Sequence, residues 1–197
     1  MSNSSFNNDR RRFLTATTAV VGGVGVAAVT VPFIRSLNPS EKVKAVGQPV
    51  EVDISKLEEG QMMRVAWRGK PVWIIRRSPS VVAELSSHHT RLKDPDSIQA
   101  QQPDYVRNVY RSLKPEYFIA VGVCTHLGCS PNYRQDALGT QKSDRNTGFL
   151  CPCHRAVYDM AGRVLIGGPA PYNLVIPRHM YLNEHKILIG IDENGEA

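Results

Sequence analysis

The chain has 197 residues, 42% of them hydrophobic and 21% charged, with a mean hydropathy of −0.27; this is enough for one domain with a core and excludes a disordered, collagen-like or coiled-coil chain. Its net charge is +6 with histidine neutral, yet the basic residues form no stripe with interleaved aromatics, so no nucleic-acid partner is expected. All four cysteines lie between Cys124 and Cys153, which excludes a disulfide-dense scaffold and points to one local site.

Taken in chain order, residues 1–12 form a polar tail with three arginines and one aspartate, a net +2 that leaves +4 for the rest. Residues 13–34 carry no charge over 22 positions, enough for roughly 33 Å of helix, and are expected to be a transmembrane anchor. Ala19, Gly23 and Ala27 recur every four residues, a small-residue face that another helix could approach closely. The run is long and no A-x-A site follows it directly, so a retained anchor is favoured over a cleaved signal. Just before it, Arg10-Arg11-Arg12-Phe13-Leu14 resembles the twin-arginine export signal; a plain positive-inside cluster is the alternative. Both readings leave the N-terminus cytoplasmic and the bulk of the chain across the membrane. Residues 35–47 are polar, punctuated by Pro39, and are expected to be a flexible tether of 13 residues.

The remainder, 48–197, is expected to be an all-β head. Short runs with alternating or β-branched content at 48–54, 62–68, 72–77, 117–123, 163–166, 174–176 and 186–191 predict strands. Residues 79–87 predict a helix with proline in its first turn, and 91–114 read as a long irregular excursion. Many short strands with turn punctuation predict an antiparallel sandwich or small barrel.

The site residues stand in two segments, Cys124-Thr125-His126-Leu127-Gly128-Cys129 and Cys151-Pro152-Cys153-His154. Each offers a cysteine and a histidine, C-x-H in the first and C-x-x-H in the second, and two thiolates with two imidazoles make a four-ligand set. Structural zinc is chemically allowed, but its usual spacings are C-x2-4-C and H-x3-5-H. Two plain disulfides leave both histidines unexplained. A [2Fe–2S] cluster with two histidines replacing two cysteines on one iron accounts for the doubled motif.

Over its whole length the sequence resembles the Rieske iron–sulfur subunit of the cytochrome bc complex. The twin-arginine anchor, the tether, both cysteine–histidine segments and Gly168-Pro169-Ala170-Pro171 carry the resemblance. It implies a Rieske-type head with a cluster-binding subdomain at about 120–172. Residues matching Cys124 and Cys151 would bind one iron, and those matching His126 and His154 the other. Cys129 and Cys153 would form a disulfide clamping the loops, and Gly168-Pro169-Ala170-Pro171 would be a proline loop covering the cluster from a third side. His154 would sit at the exposed tip and hydrogen-bond a quinol hydroxyl. The implied activity is quinol–cytochrome c reduction within a multi-subunit, dimeric membrane complex, with cytochrome b and a cytochrome c-type subunit as partners and the head on the periplasmic side of a bacterial inner membrane.

Where the family pattern reads C-P-C-H-G-S-x-Y-D, this chain has Arg155 and Ala156 in place of glycine and serine. Tyr158 matches the tyrosine whose hydroxyl bonds a ligand sulfur; Ala156 lacks the hydroxyl that would bond a bridging sulfide. Losing a donor disfavours the reduced form and predicts a lower potential, offset in part if Arg155 points inward. The small Rieske subunit of a molybdenum oxidase such as arsenite oxidase is the main alternative, with a Rieske ferredoxin or oxygenase component and a zinc module behind it. His88, His89, His179 and His185 lack paired ligands and are expected at the surface or in packing. Asp94-Pro95-Asp96 is expected to be a solvated loop, and Trp67 and Trp73 to lie in the core.

Overall fold

The computed structural model describes residues 8–40, 43, 47–87, 89–134 and 148–196. It divides into two compact units, Met1–Ala45 and Val46–Ala197.

The first unit contains helix α1, Asn8–Ser36, of 29 residues. It begins five residues before the uncharged run and takes in Arg10, Arg11 and Arg12, since arginine is a good helix former and costs nothing where exposed. No residue of α1 is buried, and Phe13, Val20, Val24, Val29 and Phe33 are all exposed. It is long and apolar enough to cross a membrane. Its threonines do not oppose this, because Thr17 and Thr18 donate to the carbonyls of Phe13 and Leu14 one turn back, at 2.9 and 2.8 Å. Pro32 lies inside the helix and withdraws one donor from its last turns. Arg35 and Ser36 of the expected tether belong to α1, while residues 41, 42 and 44–46 of it lie outside the described residues.

The second unit is built on nine described strands in three antiparallel sheets: β1 (Val50–Asp53), β2 (Met62–Trp67), β3 (Lys70–Arg76), β4 (Tyr117–Val121), β5 (Asn132–Arg134), β6 (Gly148–Leu150), β7 (Val157–Tyr158), β8 (His179–Tyr181) and β9 (Lys186–Ile189). The orders are β1-β9-β8, β2-β3-β4 and β5-β6-β7. Strands β3 and β4 are buried on both faces, so their side chains divide between two cores by the period of two. Trp73, Ile75, Phe118 and Ala120 join the core that also holds Cys124, Phe149, Cys151 and Tyr158. Val72, Ile74, Ile119 and Val121 face the other way, onto Val52, Ile187 and Ile189 of the β1-β9-β8 sheet. Trp73 pairs with Ala120 across the ladder and stacks on Phe149, ring centroids 5.0 Å apart. The β2–β3 hairpin turns through Arg68 and Gly69, both at positive φ (49° and 71°), the signature of a two-residue type I′ turn.

The expected helix at 79–87 is α2 (Pro79–Glu84), capped by the Ser78 hydroxyl and tightened to 3-10 geometry at Leu85–Ser87. Residues 163–166 contribute isolated bridges, Val164 to Tyr158 and Leu165 to Leu92, rather than a strand. Residues 174–176 make single backbone bonds to Val121 and Gln101, which is too little for a ladder. Four strands escape the pattern, β5 to β8, because two- and three-residue strands are too short to show a period. Trp67 departs from expectation: it is half-buried, its ring lies under the Arg68 guanidinium at 4.6 Å, and Gly190 approaches its indole so closely that a Cβ there would meet Nε1 at 2.4 Å.

The 91–114 excursion carries a short 3-10 turn at Asp104–Val106 and a single bridge at Leu92, and buried arginines hold the rest of its shape. Arg111 donates to Ala161 O, Gly162 O, Leu174 O and Gln102 Oε1, and Arg77 to Pro115 O, Tyr110 O, Met160 O and Ser112 Oγ. Burial lowers both guanidinium pKa values to about 10, which leaves them charged at neutral pH and obliges the surrounding carbonyls to converge on them. Asp94 is not merely solvated: its carboxylate accepts from Ile98 N and Gln99 N and so shapes the loop. His179 is packed inside the fold, its Nδ1 2.8 Å from Pro177 O, while His185 is exposed. His88 lies outside the described residues.

Candidate metal centre

Two loops leave the short β5-β6-β7 end of the head, and each opens on a buried cysteine. The first closes on itself: Cys124 N donates to Cys129 O at 2.7 Å and Gly128 N to Cys124 O at 3.0 Å, with Gly128 at φ 83°. The second repeats the device, Arg155 N donating to Cys151 O at 3.0 Å and Cys151 N to Ala156 O at 2.8 Å, with Arg155 at φ 57°. Cys129 and Cys153 are joined in a disulfide that ties the loops together. Across that tie His126 and His154 meet edge to face, centroids 4.7 Å apart at 89°, His126 half-buried and His154 exposed.

Cys124 and Cys151 remain free thiols, both 2% exposed. The sulfurs of Cys129, Cys151 and Cys153 lie within 4.8 Å of one another, but two of these are consumed by the disulfide and offer no thiolate. Burial pushes the Cys151 thiol up, and the neighbouring Cys124 adds to this. Two adjoining buried thiols can become thiolates only against a positive centre, and two imidazoles stand on the open side. That donor set, two sulfurs and two nitrogens in separate pairs, fits a cluster whose irons take unlike ligands and does not resemble the spacing of a zinc finger.

The sulfur side is organised by Tyr158. Its hydroxyl lies 3.2 Å from Cys124 Sγ, 3.1 Å from Thr125 Oγ1, and accepts from Thr125 N at 3.1 Å. Thr125 spends its own hydroxyl proton on Tyr172 O at 2.6 Å, so the Tyr158 proton is the one left to share between Cys124 Sγ and Thr125 Oγ1. Once Cys124 is a thiolate its sulfur is the stronger acceptor and takes that proton. Burial raises the phenol pKa, which keeps Tyr158 a donor. Thr125 and Tyr172 carry no spacing signal of their own and were not legible as site residues.

Gly168-Pro169-Ala170-Pro171 packs beside the second loop. A Cβ on Gly168 would come 3.2 Å from Ala156 Cα, and Ala156 itself is fully buried. Lys93 holds this segment, its Nζ donating to Gly168 O and Ala170 O, both at 2.8 Å. Lys93 lies 75 residues away from Gly168, so only the fold brings it here. Arg155 does not point inward: it is exposed and lines a surface groove beside His154. Arg10 and Arg11 are exposed in the first turns of α1.

Comparison with known proteins places these features in one family. The family model "Rieske [2Fe-2S] domain" matches residues 47–178, and the model "Ubiquitinol-cytochrome C reductase Fe-S subunit TAT signal" matches residues 1–40. The ubiquinol-cytochrome c reductase iron-sulfur subunit of Allochromatium vinosum is 56% identical over 196 residues, covering 98% of this chain and 93% of the relative. The subunit of the same name from Blastochloris viridis is 42% identical, covering 92% of each chain, and that from Bradyrhizobium diazoefficiens is 37% identical over 92% and 94%. The apolar helix behind a twin-arginine segment fits a membrane-anchored protein with a translocated head. The chain therefore belongs to the family of Rieske iron–sulfur subunits of ubiquinol–cytochrome c reductase.

Proposed function

We propose that this chain is the tethered one-electron carrier of a quinol–cytochrome c reductase, held in a bacterial inner membrane by residues 13–34 with its N-terminus cytoplasmic and its head, 48–197, periplasmic. Cys124 and Cys151 hold one iron of the cluster and His126 and His154 the other; the cluster-binding subdomain spans about 120–172. The observation that carries this reading is the pair of buried free thiols set opposite the edge-to-face imidazoles, with the remaining two cysteines bonded to each other.

When bound, the [2Fe–2S] cluster supplies a one-electron couple whose neutral histidine ligands raise its potential to roughly −150 to +300 mV. Each imidazole has a second ring nitrogen, and that of exposed His154 accepts the hydrogen bond of a quinol hydroxyl and takes its proton. Tyr158 and Thr125 fix the sulfur side, and the disulfide keeps the loops from parting. The segment after α1, residues 37–47, gives the head the reach to travel between a quinol site on cytochrome b and a cytochrome c-type haem. Activity belongs to the assembled, dimeric complex, since cytochrome b and the haem subunit complete the electron path. An oxidase small subunit is not favoured, because the relatives reported above are named for the quinol reductase over nearly their whole length.

Purification of the complex from native membranes tests the proposal. The reduced protein should give the low-average-g paramagnetic signal of a Rieske centre, co-purify with b- and c-type haems and oxidise quinol. Wild-type quinol oxidation by a His154→Gln complex would remove His154 from its assigned role.

A further inference from the structure

Residues 167–171, which contain Gly168-Pro169-Ala170-Pro171, have little backbone bonding of their own. Among the described residues no backbone–backbone hydrogen bond involves 167–173, and Pro169 and Pro171 have no N–H to give. The hydrogen bonds to 167–171 come from one side chain: the Lys93 ammonium donates to Gly168 O and Ala170 O, both at 2.8 Å. We infer that Lys93 is a positioning residue that keeps this segment closed on the metal loops and thereby slows loss of the iron–sulfur cluster, an inference that rests on the function proposed above.

The stem of Lys93 is fixed in register with the chain that leads into the segment. Leu92 is buried and bridges Leu165, Lys93 N donates to Val164 O at 3.0 Å, and Ile166 N donates to Arg91 O at 2.9 Å. On the far side, Asn173 accepts from Val164 N at its Oδ1 and donates from its Nδ2 to Asp94 O at 3.0 Å. Residues 91–94 therefore form a strap that holds both ends of the segment, and Lys93 reaches over its middle. An exposed ammonium gives up little hydration there, and a charged donor bonds carbonyl oxygens more strongly than a neutral one.

The grip holds down the closure of the second cysteine loop. A Cβ on Gly168 would come 3.2 Å from Ala156 Cα, and Ala156 O accepts from Cys151 N at 2.8 Å. Ala170 is fully buried in the core that also holds Cys124, Cys151 and Ala156. Local opening of 167–171 would admit water and chelators beside the two buried thiols.

The experiment compares the intact wild-type complex with two variants. Lys93→Met keeps the stem and removes the donor; Lys93→Arg offers a guanidinium that can bond two carbonyls. Amide hydrogen exchange is followed in a peptide spanning 166–174, and cluster loss as decay of the paramagnetic signal in excess iron(II) chelator. In Lys93→Met both rates should rise about 10-fold, with exchange in β3 and β4 unchanged. Lys93→Arg should bring both rates back to within about 3-fold of wild type. Wild-type rates in Lys93→Met overturn the inference, as does slow cluster loss from a segment that exchanges faster. An arginine variant as fast as the methionine one overturns it too, because the grip would then not reside in the charged donor. Faster exchange in β3 and β4 as well would mean a general loosening of the head and has the same consequence. A wild-type complex without a Rieske signal would instead overturn the proposed function, while the exchange measurement still reads the grip of Lys93.

Discussion

The two ends of the head are held together in different ways. At the scaffold end, β1 to β4 and β9 run four to seven residues, and their stability is spread over packed Val, Ile, Leu and Tyr side chains. At the metal end, β5, β6 and β7 run only three, three and two residues. There the core packing of Phe149, Cys151 and Tyr158 against β3 and β4 is supplemented by a few long-range links: the Cys129–Cys153 disulfide, Tyr158 on Cys124, Thr125 on Tyr172, and Lys93 on the proline loop. A scaffold with many weak contacts yields gradually and globally; an end with few links yields locally and all at once.

That contrast can be broken in order of effect. Cys129→Ser should cost about 2–4 kcal/mol in the head and abolish the Rieske signal, while far-ultraviolet circular dichroism stays near wild type; a retained signal would show that the loops hold without the tie. Ile119→Ala, in the scaffold, should cost about 3 kcal/mol by leaving a cavity among fully buried neighbours. It should lower the melting temperature of the whole head with little change in midpoint potential.

Smaller effects sharpen the picture at the metal end. Tyr158→Phe removes the proton donated to Cys124 and should lower the midpoint potential by about 60 mV, the one-electron equivalent of about 1.4 kcal/mol. Ala156→Ser offers a donor that this chain lacks and should raise it by roughly 30 mV. In a redox titration, a rise for Tyr158→Phe would contradict the first assignment and a fall for Ala156→Ser the second.

An effect of similar, small size belongs to the scaffold. Burial lowers the pKa of His179, although Asp192 and Glu193 line the small pocket it shares with Tyr105. The unfolded chain therefore binds the proton first. Stability contributed by neutral His179 is complete above about pH 6.5 and is lost as the pH falls from there toward the lower folded value. His179→Asn, which keeps a donor toward Pro177 O, should flatten this slope by about 1 kcal/mol, read by chemical denaturation at pH 7 and pH 5, without altering the Rieske signal.

Much of the site could be read before any fold was known. The segments 124–129 and 151–154 announce their chemistry because cysteine and histidine are scarce and metal spacing is local, and a charge-free run of 22 residues announces a helix for the same local reason. The long scaffold strands were visible through their alternation, whereas β5 to β8 were not. Trp67 looked like Trp73 in pattern, yet Trp73 is buried against Phe149 and Trp67 is only half covered.

The sequence by itself displayed the paired cysteines and histidines, the long charge-free run and the β character of the head, since each depends on residue type at short spacing. Only the tertiary structure decided which groups reach the metal loops from afar. Lys93 and Tyr172 arrive through contacts across tens of residues, and the turn that puts Arg155 into a groove rather than against the cysteines is set by the backbone around it. Side-chain chemistry is local information; the direction in which a side chain points is fixed by packing and hydrogen bonds that only the folded chain can make.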